Sequence, residues 1–306
     1  MLRSAPESRL AAPARLAAAG ALALLLACAG ACAGDGGGPP GETTLERVRR
    51  EGVVRVGFAN EAPYAYLESR SGRLTGEAPE IARAVLGRMG IEEIEGVLTE
   101  FGALIPGLKA DRFDLIAAGM YVKPARCREI DFSDPTYCIG EGFLVAAGNP
   151  LGLHSYEDVR ESAEARIGVV SGAVELGYAR ELGIPRERIV IFPDAPSAVA
   201  GVQSGRIDAY AGTRLTVEDM LRKARDRGLE AAAPFRDPVI DGEPVRGCGA
   251  FGFRAADDGF REELDRHLDA LLGTPEHLAL VEPFGFGPEA LPGGVTAEEL
   301  CGPAGG

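Results

Sequence analysis

The chain has 306 residues, of which 46% are apolar, and its formal net charge at pH 7 is −14. This length and apolar content allow one large or two modest domains with buried cores, and they exclude a disordered chain. The negative charge argues against a nucleic-acid partner, because phosphate binding needs a basic face. The three histidines are dispersed, which argues against a zinc enzyme, and we expect neither a metal nor a cofactor.

The N-terminal segment, residues 1–41, is predicted to be an export signal followed by a flexible tether. Three arginines precede the apolar run Leu16–Ala27, which is too short for a stable membrane span. Leu25–Cys28 resembles a bacterial lipoprotein box, so Cys28 is the predicted lipidated residue and Cys32 is a weaker candidate. An ordinary signal cleaved after an Ala-x-Ala site is the alternative. We expect an exported protein, in the periplasm or lipid-anchored at the outer face of the cell membrane.

Four cysteines remain after the leader, namely Cys127, Cys138, Cys248 and Cys301. An even number in an oxidising compartment indicates a disulfide framework. Of the three possible pairings we favour Cys127 with Cys138 and Cys248 with Cys301, which would close one short loop and tie the C-terminal tail to the body of the protein. Free thiols buried as small hydrophobic residues are the alternative.

Strand and helix signals alternate along the rest of the chain. The β-branched run Val53–Ala59 predicts a strand, and the apolar spacing of Pro79–Met89 predicts a helix. Residues 107–119 recur as residues 201–213, and both copies lead from a helix end through an Arg and Asp turn into a short apolar strand. These units are too long for a repeat array. We predict two similar α/β lobes, each with a mostly parallel sheet flanked by helices.

The lobe boundaries are predicted from two crossings of the chain. The strand signal in Glu141–Pro150 ends at a Gly-Asn-Pro breaker, where the chain is expected to enter lobe two. The strand signal in Cys248–Arg254 is expected to return to lobe one. Lobe one then comprises residues 42–145 and 246–301, and lobe two comprises residues 146–245. Two crossings form a hinge with a cleft between the lobes, which is a usual place for a ligand.

Three motifs, Asn60–Tyr64, Glu100–Leu108 and Gly119–Cys127, make the resemblance to a known family specific. They resemble the ectoine- and hydroxyectoine-binding members of the polar amino-acid class of solute-binding proteins of bacterial ABC importers. Asn149–Leu153 and Glu282–Phe286 fit the same members. The resemblance implies a two-lobed periplasmic-binding-protein fold of type II. It also implies a monomeric, non-enzymatic receptor that delivers a small zwitterionic solute to permease subunits in the membrane.

The resemblance assigns an acid and three aromatic rings to the ligand cage. Glu61 matches the acid that accepts hydrogen bonds from the ring nitrogen of the ligand. Tyr64, Phe101 and Tyr121 match the three aromatic positions, and Tyr64 stands where these members usually have Phe. Aromatic faces around a diffuse cation contribute cation–π attraction of roughly 2 kcal/mol per ring when desolvated.

The resemblance assigns the ligand carboxylate to residues from both lobes. Arg126 matches the arginine that binds the carboxylate, and Gly119 matches a backbone contact beside it. In lobe two, Gly172, Ala173 and Val174 match the segment that closes over the carboxylate. Val174 stands where the family often has Ser or Thr, so we expect only backbone N–H contacts from this segment.

Thr213 bears on the class of ligand. Amino-acid binders of this class usually have an aspartate at this position, where it pairs with the α-ammonium group. Burying an unpaired ammonium is expensive, so Thr213 argues against a standard amino acid. Another polar amino acid or a betaine-like solute is the alternative ligand. An enzyme resembling cyclohexadienyl dehydratase is less favoured, with Glu61 and Glu141 as its available acids. Asp114 and Asp208 are interpreted as turn caps rather than as ligands.

Overall fold

The computed structural model describes residues 41–224, 228–240 and 242–302. The predicted signal, the predicted tether up to residue 40 and the predicted lipidation site Cys28, with Cys32 as its weaker alternative, lie outside these residues. Within the described residues, no helix has the length and hydropathy needed to cross a bilayer.

The helices of the described residues are short, and most begin at a polar cap or at a proline. They are α1 Thr44–Glu51, α2 Glu77–Arg88, α3 Leu104–Lys109, α4 Pro124–Cys127, α5 Tyr156–Glu161, α6 Glu175–Glu181, α7 Ala195–Gln203, α8 Arg214–Ala224, α9 Asp258–Asp269, α10 Pro275–Val281 and α11 Ala297–Cys301. Single 3₁₀ turns cover Phe101–Ala103, Arg186–Arg188, Glu282–Phe284 and Pro288–Ala290.

The strands alternate with these helices. They are β1 Val53–Phe58, β2 Tyr66–Leu67, β3 Leu74–Thr75, β4 Glu93–Leu98, β5 Leu115–Tyr121, β6 Asp131–Phe132, β7 Tyr137–Ile139, β8 Glu141–Ala146, β9 Ile167–Val170, β10 Ile189–Phe192, β11 Ala209–Thr213, β12 Leu229–Ala231, β13 Val239–Ile240, β14 Glu243–Pro244 and β15 Gly247–Phe253. The predicted strand in Val53–Ala59 and the predicted helix in Pro79–Met89 correspond to β1 and α2.

Lobe one is built on a six-stranded sheet of order β4-β1-β5-β15-β6, in which β7 also pairs with β15. β1 runs parallel to β4 and β5, whereas β15 runs antiparallel to β5, β6 and β7. The apolar face of α2, which includes Ile81, Val85 and Leu86, is fully buried in the same cluster as Val54 and Val56 of β1. This burial fixes the helix on the sheet and leaves the strand ends free to form a site.

Lobe two is built on a five-stranded sheet of order β10-β9-β11-β8-β12. β9 runs parallel to β10 and β11, and β8 runs antiparallel to β11 and β12. The sequence predicts residues 141–145 at the end of the first segment of lobe one. The structure corrects this boundary, because β8 pairs with β11 along Glu141–Val145 and is buried there. The first crossing therefore lies at Gly140, ahead of this strand.

The internal repeat is visible in matching hydrogen bonds of the two lobes. The Asp114 carboxylate accepts a bond from the backbone N–H of Arg55 at 3.0 Å, and the Asp208 carboxylate accepts one from the backbone N–H of Arg166 at 2.8 Å. Each aspartate thus ties its own strand to the neighbouring parallel strand. The predicted two-lobed α/β fold is confirmed, and each sheet is mixed because antiparallel strands complete its three parallel ones.

The two disulfides join Cys127 to Cys301 and Cys138 to Cys248, so the favoured pairing was wrong. The antiparallel register of β7 and β15 places Cys138 directly opposite Cys248, with their Cα atoms 4.0 Å apart. The C-terminal helix α11 packs on α4, which brings the Cα of Cys301 within 5.8 Å of that of Cys127. Both pairings depend on contacts between distant segments, which cysteine spacing does not encode.

Candidate functional site

A narrow cavity lies where the ends of β1, β5, β9 and β11 converge, as expected for ligand sites at the carboxyl ends of strands in α/β folds. Its free volume of about 30 Å³ is the room of roughly two water molecules, so a solute enters only if the lobes move apart. The cavity is lined by Glu61, Tyr64, Phe101, Ala118, Gly119, Tyr121, Arg126, Ala173, Val174, Glu175, Tyr210 and Thr213.

Eight of the nine predicted ligand-binding residues are in this lining. The ninth, Gly172, contributes its carbonyl, which accepts a hydrogen bond from Nη2 of Arg126 at 2.9 Å. A Cβ atom at Gly172, where φ is +77°, would lie 2.5 Å from the Cα of Gly102. Glycine at this position therefore lets lobe two touch lobe one. The roles of the nine residues toward a solute remain predictions.

A tight loop after β1 presents Glu61 to the cavity. Asn60, at a φ of 51°, accepts a hydrogen bond from the backbone N–H of Leu67 at 2.9 Å, and Ala65 donates its N–H to the carbonyl of Glu61 at 2.9 Å. The hydroxyl of Thr216 donates to Oε1 of Glu61 at 2.9 Å. Burial raises the pKa of Glu61, and this hydrogen bond opposes the rise.

A chain of hydroxyl groups connects Glu61 and Tyr64 of lobe one through Thr213 and Thr216 of lobe two. The Tyr64 hydroxyl donates to Oγ1 of Thr213 at 2.7 Å, and Thr213 donates to Oγ1 of Thr216 at 3.0 Å. Thr216 completes the chain at Glu61. We call these four residues the hydroxyl chain. The Tyr64–Thr213 and Thr216–Glu61 hydrogen bonds connect lobe one with lobe two, so both form only when the lobes are together.

The side-chain rings of two predicted cage residues pack directly against glycines. A Cβ atom at Gly119, where φ is +64°, would lie 2.5 Å from the ring of Tyr64, and one at Gly247 would lie 1.8 Å from the ring of Tyr121. Behind Tyr64 the ring centroids of Tyr137 and Phe286 lie 5.2 and 5.5 Å away. Tyr64 and Tyr121 are therefore held rigidly, with only part of each ring available to the cavity.

Arg126 is oriented by its own backbone environment. Helix α4 begins with Pro124, and Arg126 follows on its first turn. Its Nη1 donates to the carbonyl of Tyr121 at 2.7 Å, and its guanidinium lies 5.5 Å from the ring centroid of Phe101. Burial lowers the pKa of Arg126, and the attraction of Glu175 opposes this. These contacts fix the plane of the guanidinium, which suits two-point binding of a carboxylate.

Glu175, Tyr210 and Ala118 also line the cavity and were not predicted from the sequence. Glu175 is the first residue of α6 and is 5% exposed. Burial raises its pKa to about 7, and the attraction of Arg126 opposes the rise. Extending the predicted closing segment by one residue beyond Val174 would have found it. The cavity thus faces a solute with two carboxyl groups, from Glu61 and Glu175, and one guanidinium.

A larger cavity of about 570 Å³ lies at the crossing strands and is lined by both lobes. Three of its charged groups are already engaged, whereas the Glu141 carboxyl oxygens have no hydrogen-bond partner among the described residues. Arg214 pairs with Glu218 at 2.8 Å, Arg246 donates to the carbonyl of Cys138 at 2.9 Å, and the Asp237 carboxylate accepts the N–H of Glu141 at 2.7 Å. The narrow cavity is the candidate solute site, because it brings together eight of the nine residues predicted from the sequence.

Comparison with known proteins identifies the family. The profile of the bacterial extracellular solute-binding proteins, family 3, matches residues 54–287. The chain belongs to this family. It is therefore a solute-binding protein of the amino-acid type, and its family implies a small solute as ligand and an ABC transporter permease as partner.

Individual relatives agree with this assignment. The chain is 40% identical over 265 residues to a probable amino-acid ABC transporter periplasmic-binding protein, y4tE, of Sinorhizobium fredii, covering 85% of this chain and 87% of the relative. It is 26% identical over 233 residues to the histidine-binding periplasmic protein of Salmonella typhimurium, covering 74% and 85%.

Solved structures show the same fold. The crystal structure of EhuB in complex with hydroxyectoine superposes with a TM-score of 0.77 at 36% identity, covering 85% of this chain and 98% of EhuB. An ancestral amino-acid-binding protein, AncCDT-1, a precursor of cyclohexadienyl dehydratase, superposes with a TM-score of 0.67 at 23% identity, covering 79% and 99%. At that identity the second likeness bears on the fold alone.

Proposed function

We propose that the protein captures ectoine or hydroxyectoine between its lobes and delivers it to an ABC transporter permease without chemically changing it. The observation that carries the proposal is the meeting of Arg126, Glu61, Glu175 and the rings of Phe101 and Tyr121 in one interlobe cavity. The likeness to EhuB, which was crystallised with hydroxyectoine, supports the choice of ligand.

The chemistry of the cavity suits this solute. Ectoine is a small zwitterion with a delocalised amidinium ring and one carboxylate. The planar guanidinium of Arg126 fits the carboxylate, and Glu61 with Glu175 supplies acceptors for the ring N–H groups. The rings of Tyr64, Phe101 and Tyr121 are proposed to surround the amidinium, where exclusion of water strengthens cation–π attraction.

Thr213 favours this ligand over a standard amino acid. The threonine side chain carries no negative charge to pair with an α-ammonium group. Its hydroxyl is also already hydrogen-bonded to Tyr64 and Thr216. The name of the Sinorhizobium fredii relative nevertheless keeps a polar amino acid as the second candidate. Calorimetry distinguishes the two.

The test is isothermal titration calorimetry of the mature protein with ectoine, hydroxyectoine, glycine betaine, proline and glutamine. We expect the first two to bind with micromolar or tighter Kd, about −8 kcal/mol or better. Arg126→Lys is the matched variant, since it keeps the charge and removes the planar fork. Tight binding of glutamine without binding of ectoine would overturn the choice of ligand.

The proposal includes export and lipid anchoring at Cys28. Mass spectrometry of the mature N-terminus tests it, and a diacylglyceryl-modified Cys28 is the expected result. A mature chain that starts beyond Cys32 would contradict the anchor and leave the binding function untouched.

A further inference from the structure

A second contact between the lobes lies beside the solute cavity and outside its lining. Lys123 precedes α4 in lobe one, and its Nζ lies 5.0 Å from the ring centroid of Tyr178 in α6 of lobe two. Neither residue is in the cavity lining among the described residues. The Lys123 side chain therefore reaches across the gap without facing the space that a solute would occupy.

The environment of the ammonium group suits this contact. Burial lowers the pKa of Lys123, and attraction to Glu141 opposes that change. Glu141 is the first residue of β8 after the crossing, is 3% exposed, and has no hydrogen-bond partner for either carboxyl oxygen in the described part of the chain. Burial and the nearby Glu175 raise the pKa of Glu141 well above its ordinary value, which favours its neutral form, so the ring of Tyr178 is the main partner of the ammonium group. A partly desolvated ammonium gains most from such an aromatic face, because water no longer competes.

The contact depends on how the lobes are arranged. Lys123 moves with lobe one, whereas Tyr178 and Glu141 are held in lobe two by α6 and β8. Tyr178 is 4% exposed and its ring packs against Tyr156 at a centroid distance of 6.2 Å, so it cannot follow the lysine. Separation of the lobes breaks the contact and returns the ammonium to water.

We propose that Lys123 is a positioning residue for solute capture, whose ammonium group latches the closed lobes by docking on the ring of Tyr178 beside Glu141. We call this contact the interlobe latch. The proposed role of the latch rests on the proposed function, because capture of a solute requires the lobes to close. The latch adds to the affinity for any solute of the cavity, and it does so through the lifetime of the closed complex.

Stopped-flow binding of the solute identified by calorimetry tests the latch. Lys123→Met keeps the length of the side chain and removes its charge. We expect it to raise koff about tenfold and to leave kon within twofold, because the latch stabilises the closed lobes and takes no part in the encounter with the solute. Lys123→Arg should restore koff, since a guanidinium also docks on an aromatic face.

The ring is tested by a matched pair. Tyr178→Phe keeps the aromatic face and should leave koff within twofold of wild type, whereas Tyr178→Leu should raise koff as Lys123→Met does. A merely structural role predicts that these substitutions lower the unfolding temperature and that Lys123→Arg gives no rescue. We expect an unchanged unfolding temperature for Lys123→Met in the ligand-free protein.

Distances measured between the two lobes test the latch without relying on the kinetics of solute binding. Spin labels are placed at the exposed positions Glu95 of lobe one and Glu187 of lobe two, and electron-paramagnetic-resonance distances are compared with and without solute. Lys123→Met should shift the distribution toward longer distances, and Lys123→Arg should not. Unchanged koff or unchanged distances in Lys123→Met would overturn the latch. If no solute of the panel binds, the proposed function fails, and the ligand-free distances alone decide on the latch.

Discussion

Removal of one hydroxyl from the hydroxyl chain gives a sharp test of how the lobes are held together. Tyr64→Phe keeps the ring on Gly119 and deletes the donor to Thr213 Oγ1, a bond of 2.7 Å. Thr213 still donates to Thr216 at 3.0 Å and accepts its backbone N–H at 3.2 Å. Because no buried group loses its last partner, the loss is that of one net hydrogen bond, about 1 kcal/mol, or roughly fivefold in Kd.

The opposite deletion is expected to be more harmful. Thr213→Val removes the acceptor of the Tyr64 hydroxyl and of the Thr216 N–H, whereas the Thr216 hydroxyl keeps its bond to Glu61. Each buried group left without a partner costs about 1–3 kcal/mol. Kd measured by calorimetry should therefore rise more in Thr213→Val than in Tyr64→Phe.

A matched control separates the hydrogen bond from the loss of a hydroxyl as such. The Tyr156 hydroxyl is buried in lobe two and has no hydrogen-bond partner among the described residues. Tyr156→Phe should bind solute within twofold of wild type. Equal affinities for Tyr64→Phe and wild type would refute the reasoning that the hydroxyl chain links the lobes.

Three further predictions concern the solute, pH and the disulfides. Arg126→Ala should weaken ectoine binding about a hundredfold or more, because it leaves the ligand carboxylate buried and unpaired, at a cost of several kcal/mol. Arg126→Lys should weaken binding less, since it keeps the charge. A calorimetric Kd for Arg126→Ala within twofold of wild type would show that the solute binds at another site. Burial raises the pKa of Glu77 from 4.5 to about 8. Between these two pH values the folded protein binds more protons than the unfolded chain. The free energy of unfolding therefore falls as pH rises, by up to about 1.4 kcal/mol per pH unit. Glu77→Gln should make this slope shallower in urea titrations between about pH 5 and pH 8, and an identical slope in both proteins would contradict the assignment. Non-reducing peptide mapping should join Cys127 to Cys301 and Cys138 to Cys248, and a Cys127–Cys138 peptide would disprove this connectivity.

The sequence was most informative where function is encoded in short local motifs. Glu61 and Tyr64 lie in one loop, and Tyr121 and Arg126 lie on one strand and the helix after it, so recognising each motif placed several lining residues together. The lobe-two segment up to Val174 was found in the same way.

Features that depend on pairing between distant segments were missed. β15 inserts beside β5 and pairs with β7, which decides the partner of Cys138, and no local pattern encodes that register. Thr216 reaches Glu61 only because α8 follows β11 back toward lobe one. The place of Glu141–Ala146 in lobe two likewise follows from its pairing with β11 rather than from its own strand signal.

The disulfide between Cys138 and Cys248 has a mechanical consequence. Cys138 lies two residues before the first crossing at Gly140, and Cys248 lies near the start of β15, where the second crossing returns. The two crossing strands are thus covalently fastened to each other at the edge of lobe one and cannot slide along one another. Lobe two is therefore attached through two strands whose spacing is fixed, which favours rotation of the lobes over sliding. We therefore expect rotation of the lobes to change the width of the gap and the outer surface of the two lobes together.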